Sequence, residues 1–423
     1  MTIPLDRLYH FIENIVKDTF TDPIIIYRFN PHGSKNIADM IALNNITYAD
    51  HVMWTKILCF DQEPTNLEFY TNPPAPSHLS FESLGVHSQL DAIKFGGFRK
   101  NIFLHSEKRF NNPDQDNLIP VYYWSHAIIA RDWFRYAEYE TFQKNTKKLF
   151  LIYNRSWSGY REYRIKFADL LVKNNLIPYC QTTFNAVDPE LGVHYSAHTF
   201  KNACWKSTSQ LENFLQPTLA DATSSADFAA DDYNSTDIEV VLETLFDYTQ
   251  LHLTEKSLRP IACGQPFILA GTHGSLEYLR SYGFKTFGHI WDERYDLVEN
   301  PEERLLRIAD LMRDIADWSP DKRANKMAQA RAIAEYNRQH FFSQEFFNLV
   351  VDELKENLKI GLGGLRDYCD NFDWNALVDY YDKEILSNTS LTNTEDKKNH
   401  LDQNKDGLML MRDFMRKKAG LDS

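Results

Sequence analysis

The feature that most constrains this chain is the regular alternation over residues 236–317 of short apolar runs with longer segments of helical period. IEVVL at 238–242 and FILAG at 267–271 are short and mostly apolar, as buried strands are. Between and after them come segments with capping residues at their starts. The pattern predicts strands at 238–242 and 266–270, helices near 255–263 and 274–282, and a long helix over 301–317 opened by Pro301. Strands that alternate with helices in this way form a parallel sheet covered by helices.

A similar but looser series precedes it. PIIIYRF at 23–29, VMWTKILCF at 52–60 and NIFLHS at 101–106 read as buried strands, and TNPPAPSH at 71–78 reads as a loop because of its prolines. HAIIARDWFRYAEYETF at 126–142 has helical spacing and is expected to pack on that first sheet, its Arg131 and Asp132 serving structure rather than chemistry. LFLIYN at 149–154 begins the second series, after the polar stretch QKNTKK. The expected architecture is α/β, with two Rossmann-like domains over 1–147 and 148–321, helices over 322–360 that close back towards the first domain, and an extension over 361–423. With 423 residues the chain is long enough for two cores. Residues 206–236 contain a run low in bulky side chains and are expected to be a loop.

Charge and cysteine usage narrow the function classes. A net charge of -13 disfavours a broadly basic nucleic-acid surface. The five cysteines are scattered without a CxxC pair, as expected in a reducing compartment. MTIPLDRLYHFIENIVKDTF carries acids and lacks the apolar core of a signal peptide, and no stretch reaches the ~18 apolar residues of a membrane span, so a cytoplasmic location is expected. The histidines form no HExxH or Cys/His cluster, and no protein-built catalytic metal or other cofactor is expected. DQNKDGLMLMRD at 402–413 matches an EF-hand loop at its first positions, but carries Asp413 where a bidentate glutamate belongs.

The chemistry concentrates in HLTEKSLRPIACGQPFILAG, residues 252–271. A strand end there delivers Thr254, Glu255 and Lys256 to the first turn of a helix, and ligands of open α/β sheets collect at such carboxyl ends. A nucleotide-sugar donor needs an acceptor for ribose hydroxyls, which Glu255 offers, and a counter-charge for its phosphates, which Lys256 offers, aided by the N–H groups of the helix start. Thr254-Glu255-Lys256 followed by Gly264, Pro266 and a strand ending at Gly271 resembles the donor-binding motif of the α-1,3-fucosyltransferase and exostosin-like glycosyltransferases. The run from TEK through QPFIL and GSLEYLR to GFKTF and WDERYD is also similar to phage and bacterial proteins of uncharacterised activity.

That resemblance implies a GT-B fold with a nucleotide-sugar donor bound chiefly by the second domain, and a donor of UDP or GDP type is expected; without the full fucosyltransferase signature, fucose and GDP in particular are not implied. By the same likeness, Arg164, which opens R-x-x-F-x-x-x-L, contacts donor phosphate, with Arg161 and Arg155 as alternates. CFDQEPTN at 59–66 resembles the acidic motif of the first domain, which makes Glu63 the expected base and Asp61 its substitute. The transfer implied is inverting and metal-independent, to a hydroxyl on a glycan, a protein or a hydroxymethylated base of phage DNA. The alternative is a non-catalytic binding or structural protein on a degenerate fold of the same kind. WDERYD at 291–296 is left between a structural role and the donor sugar.

Overall fold

A computed structural model describes residues 5–19, 24–27, 55–59, 101–109, 118–211 and 226–370. They belong to a mixed α/β protein with two parallel sheets, and the chain divides into two compact units. One unit takes the described parts of Leu8–Ser106, Asn111–Tyr123 and the chain from Leu354 onwards. The other takes those of Met1–Arg7, Glu107–Phe110 and Trp124–Glu353.

In the first of these, β1 (Ile24–Tyr27), β2 (Thr55–Cys59), β3 (Asn101–His105) and β4 (Leu118–Tyr122) lie side by side in chain order, all parallel. β4, with the sequence LIPVY, falls outside the predicted strands because Pro120 reads as a breaker. It is the last strand of this order, and an edge position tolerates a residue that cannot donate to a neighbour. Helix α1 (Leu5–Thr19) buries Leu8, Ile12, Ile15 and Val16, the single stripe expected of an amphipathic helix.

The second unit carries β5 (Lys148–Ile152), β6 (Cys180–Thr182), β7 (Thr236–Leu242) and β8 (Phe267–Ala270), parallel and in the order β6-β5-β7-β8. Every residue of β7 is buried, as befits a strand covered on both faces. The chain leaves β5 towards β6 and then crosses back to β7, so the topological switch point lies between β5 and β7, where open α/β sheets bind ligands.

Helix α2 (Ser125–Trp133) precedes this sheet, and α3 (Tyr163–Lys173) follows β5. α4 (Ala230–Ser235) leads into β7, α5 (Glu255–Ala262) joins β7 to β8, and α6 (Ser275–Ser281) follows β8. α7 (Pro301–Ala316) begins at the Asn300 cap, whose Oδ1 accepts from Glu303 N at 2.9 Å, with proline at the first helical position as predicted.

Two placements differ from the sequence reading. α2 belongs to the unit of the second sheet, where it packs against α5: Trp124 Nε1 donates to the Leu253 carbonyl at 2.8 Å, and Arg131 caps the carbonyl end of α8 (Pro320–Phe342) by donating to Phe341 and Phe342 oxygens. The structural role expected of Arg131 is thereby met, and its burial lowers its pKa to about 10. The helices expected over 322–360 are α8 and α9 (Gln344–Asp370), parted at Ser343, which caps α9 by accepting from Phe346 N at 3.1 Å. α9 also runs through Gly361 without stopping. Within the first-sheet unit Leu354, Leu358 and Leu362 are buried, Asn357 donates to the Tyr122 carbonyl at 2.9 Å, and a Cβ on Gly361 would stand 2.5 Å from Val121 Cγ2. Glycine is there for close approach to the sheet, not for a turn. Among the described residues no helix is long and apolar enough to cross a membrane.

Candidate functional site

The carboxyl ends of β5 and β7 are tied together by buried polar groups, centred on Glu243, the residue after β7. Its Oε1 accepts from Thr254 N at 3.0 Å, Ser257 N at 3.3 Å and the Ser257 hydroxyl; its Oε2 accepts from the Thr254 hydroxyl at 2.8 Å and Thr244 N at 3.2 Å. Thr254 in turn caps α5 by accepting from Lys256 N at 3.3 Å. A helix start is a ready anion site, and here the protein's own carboxylate occupies it. The first-turn N–H groups of Lys256 and Ser257, expected to serve a phosphate, are therefore already bonded to Thr254 and Glu243.

The loop after β5 is closed in the same way. Asp188 Oδ2 accepts from Ser156 Oγ at 2.7 Å, Trp157 N at 2.8 Å and Ser158 N at 2.9 Å. Burial pushes the Asp188 pKa up, but these bonds and those from the turn at 190 outweigh it and hold it below the usual carboxylate range.

Arg164 lies between the two loops. It donates to Asn154 Oδ1 at 3.0 Å, the Ser156 carbonyl at 2.7 Å, and the carbonyls of Leu242 and Glu243 at 2.6 and 3.1 Å. Its guanidinium is buried, which lowers its pKa, and it fastens the switch point instead of facing solvent as a phosphate ligand would. Tyr163 adds a bond from its hydroxyl to the Glu243 carbonyl at 2.6 Å. Gly271 closes the cluster from β8: a Cβ there would meet Ser275 Oγ at 2.9 Å and Glu243 Cβ at 3.8 Å, so a bare backbone is needed.

Glu255 points away from Glu243, into a pocket of histidines. Its Oε2 lies 3.4 Å from His126 Nδ1, with side-chain exposures of 4% and 2%, and the ring of His252 meets that of His126 edge-on at 5.4 Å. Lys256 Nζ donates back to Glu255 Oε1 at 2.7 Å and to Thr254 Oγ1 at 3.2 Å, yet keeps 24% of its side chain exposed. Lys256 is thus the accessible end of a buried Glu255–His126 pair, while Glu255 is sheltered and not offered to a ribose. Arg155 and Arg161 are both half-buried and both bound to Glu190, at 2.7 and 2.5 Å, so two guanidinium groups share one carboxylate. Together they carry one positive charge more than they neutralise.

The fold therefore gathers Arg164, Thr254, Glu255, Lys256 and Gly271 around the ends of β5, β7 and β8, and places Arg155 and Arg161 on the loop that Asp188 holds. Glu63 and Asp61 lie outside the described residues, as does the EF-hand-like stretch. Among the described residues no group of three or more His, Cys, Asp or Glu could hold a metal ion. The sequence reading missed Glu243, Asp188 and the partnership of His126 with Glu255. An acid directly after the apolar run Val240–Leu242 was the available signal for Glu243. Nothing local marks Asp188 or the histidine. The chain matches no family model, no curated protein and no solved structure.

Proposed function

We propose that the protein is a glycosyltransferase of GT-B type that takes sugar from a UDP- or GDP-type nucleotide donor at the carboxyl edge of its second sheet. The observation that carries this reading is Thr254-Glu255-Lys256 opening α5 beside the switch point between β5 and β7, with Lys256 left partly open. A diphosphate leaving group develops negative charge as its bond to the anomeric carbon breaks. Lys256 supplies a cation for it, with Arg155 and Arg161 as further candidates if Glu190 yields them. The acceptor hydroxyl attacks that carbon and passes its proton to a carboxylate, for which Glu63 is proposed from its sequence context, with Asp61 as substitute. Lysine and arginine counter-charges make the proposed transfer metal-independent. The proposed acceptor is a hydroxyl of a glycan, a protein or a hydroxymethylated DNA base.

A second reading is a non-catalytic binding protein with a degenerate fold. It is favoured by the sheltering of Glu255 and by the carboxylates of Glu243 and Asp188 in the places where phosphate oxygens would meet backbone N–H groups. Incubation of the protein with each UDP- and GDP-sugar, followed by chromatography for released nucleoside diphosphate with and without glycan and hydroxymethylated-DNA acceptors, separates the two. Release that is abolished in Lys256→Ala supports transfer. No release from any donor, by a protein that still binds nucleotide, supports the second reading.

A further inference from the structure

The segment after α6 borders a cleft that the site above does not use. The Asp296 carbonyl accepts from Gly274 N at 2.8 Å and its carboxylate from Leu276 N at 3.0 Å, Glu293 accepts from Phe287 N at 2.6 Å, and the Tyr295 hydroxyl accepts from Leu269 N at 3.1 Å on β8. These bonds fix residues 287–297 against the sheet, and beside them lies an open cleft of about 620 Å³ whose lining includes Leu276, Arg280, Trp291, Glu293, Asp296 and Leu297. That volume falls within the ~300–1,000 Å³ of small-molecule sites.

The chemistry of the lining is that of a neutral, hydroxyl-rich ligand. Trp291 is 95% buried, being 5% exposed, and stacks on Phe287 at 4.8 Å, yet its indole N–H has no hydrogen-bond partner among the described residues. A buried donor without an acceptor is uncommon and seeks one. Glu293 and Asp296 have each committed a carboxylate oxygen to a backbone N–H, and Glu293 is also bonded by the Thr286 side chain; a carboxylate has lone pairs for further donors beyond these. Burial holds both carboxyl groups above the usual range. The remaining charges cancel locally: Asp292 and Arg294 close on each other through bonds of 2.5–2.9 Å, and Arg280 donates to Thr286 at 2.9 Å and stands 4.0 Å from Glu293. Leu297, 68% exposed, adds an apolar patch at the rim. An indole donor, two carboxyl acceptors and apolar walls match a sugar ring, which offers hydroxyls around its edge and C–H groups on its face.

We propose that this cleft, at the WDERYD segment, is a binding subsite for a neutral sugar. The proposal does not rest on Glu255 and Lys256 holding a nucleotide. The test uses the full chain labelled with ¹⁵N at the tryptophan indoles, with the Trp291 Nε1–H resonance assigned as the one lost in Trp291→Phe. D-glucose, D-galactose, D-mannose, L-fucose and N-acetyl-D-glucosamine are titrated separately.

The expected result is a saturable shift of the Trp291 resonance with at least one sugar, weakened about tenfold in Glu293→Gln, the loss of roughly one good hydrogen bond. Leu297→Asp, at an exposed position that tolerates a polar side chain, is expected to keep the spectrum of the folded chain and to weaken the same sugar. No shift with any of the five, or a shift of equal affinity in both variants, overturns the proposal. Because the nucleotide site is read by donor cleavage and this subsite by the Trp291 resonance, either can fail alone.

Discussion

Replacing Asp188 by alanine removes the anion that organises the loop after β5, and the structure gives the size of the loss. Its two oxygens accept from Ser156 Oγ, Trp157 N and Ser158 N on one side, and from Ser158 Oγ at 3.1 Å, Glu190 N at 2.9 Å and Leu191 N at 3.2 Å on the other, with no part of the residue exposed. Alanine strands four backbone N–H groups, two buried at Trp157 and Ser158 and two on the exposed Glu190 and Leu191, which water can reach. Each buried orphan costs ~1–3 kcal/mol, but water entering the space left by the carboxylate recovers part of the sum. We expect a net loss of about 4 kcal/mol, comparable to breaking a buried charge pair.

Asparagine keeps one acceptor and turns a donor towards the remaining N–H groups, so about 2 kcal/mol is expected for it. The sign with pH is fixed by the depressed pKa. Stability from Asp188 is present above its unfolded value of 3.8 and is lost as pH falls through the lower, folded one, so the gap between wild type and Asp188→Asn should hold from pH 8 to pH 5 and narrow only below about pH 4. Urea unfolding followed by tryptophan fluorescence, at matched m-values, reads both quantities. A loss under about 1 kcal/mol for Asp188→Ala at pH 7, or a gap that closes above pH 5, refutes the assignment of these bonds.

Two other perturbations probe the same unit and its neighbour. Asp296 has its pKa raised from 3.8 to about 6, chiefly by burial, with Glu293 adding to the rise and the Leu276 N–H, Arg280 and Arg304 opposing it. The stability it contributes is complete below pH 4 and lost as pH climbs through 6. Wild type should therefore lose about 3 kcal/mol relative to Asp296→Asn between those limits, measurable as diverging urea midpoints. In the first-sheet unit, Gly361→Val places branched carbons against Val121 Cγ2, which a Cβ alone would approach to 2.5 Å, and should lower stability by about 2 kcal/mol or more. Gly361→Ala should cost less, because the gain in helix propensity of ~1 kcal/mol offsets part of the clash, and thermal unfolding of the pair gives the order.

Much of the second sheet was legible because local chemistry and tertiary fold agree there. The β7 and β8 runs are short and rich in Val, Ile and Leu, Asn300-Pro301 is a cap followed by a proline, and Thr254 is a cap that the following glutamate and lysine make recognisable. What stayed hidden falls into two kinds. β4 and the break at Ser343 depend on context: Pro120 is harmless only at a sheet edge, and one serine in a helical tract is a cap only once the chain turns there. The site's inner bonds depend on distance along the chain, since Asp188 meets residues about 30 positions earlier and Glu255 meets a histidine 129 positions earlier. No periodicity encodes such pairs. Arg164 was expected, by resemblance, to contact donor phosphate; a cation at a helix start is equally suited to backbone carbonyls and to phosphate, and the carbonyls of Leu242 and Glu243 are what it meets.

The most direct test of the central claim is calorimetric titration of UDP, GDP, CMP and dTDP and their common sugars into the full chain, with Lys256→Ala and Glu255→Ala beside it. The account predicts that one nucleotide class binds, that its affinity falls at least tenfold in Lys256→Ala, equivalent to about 1.4 kcal/mol, and that both variants remain folded. Binding of none of these ligands, or undiminished binding by Lys256→Ala, would contradict it.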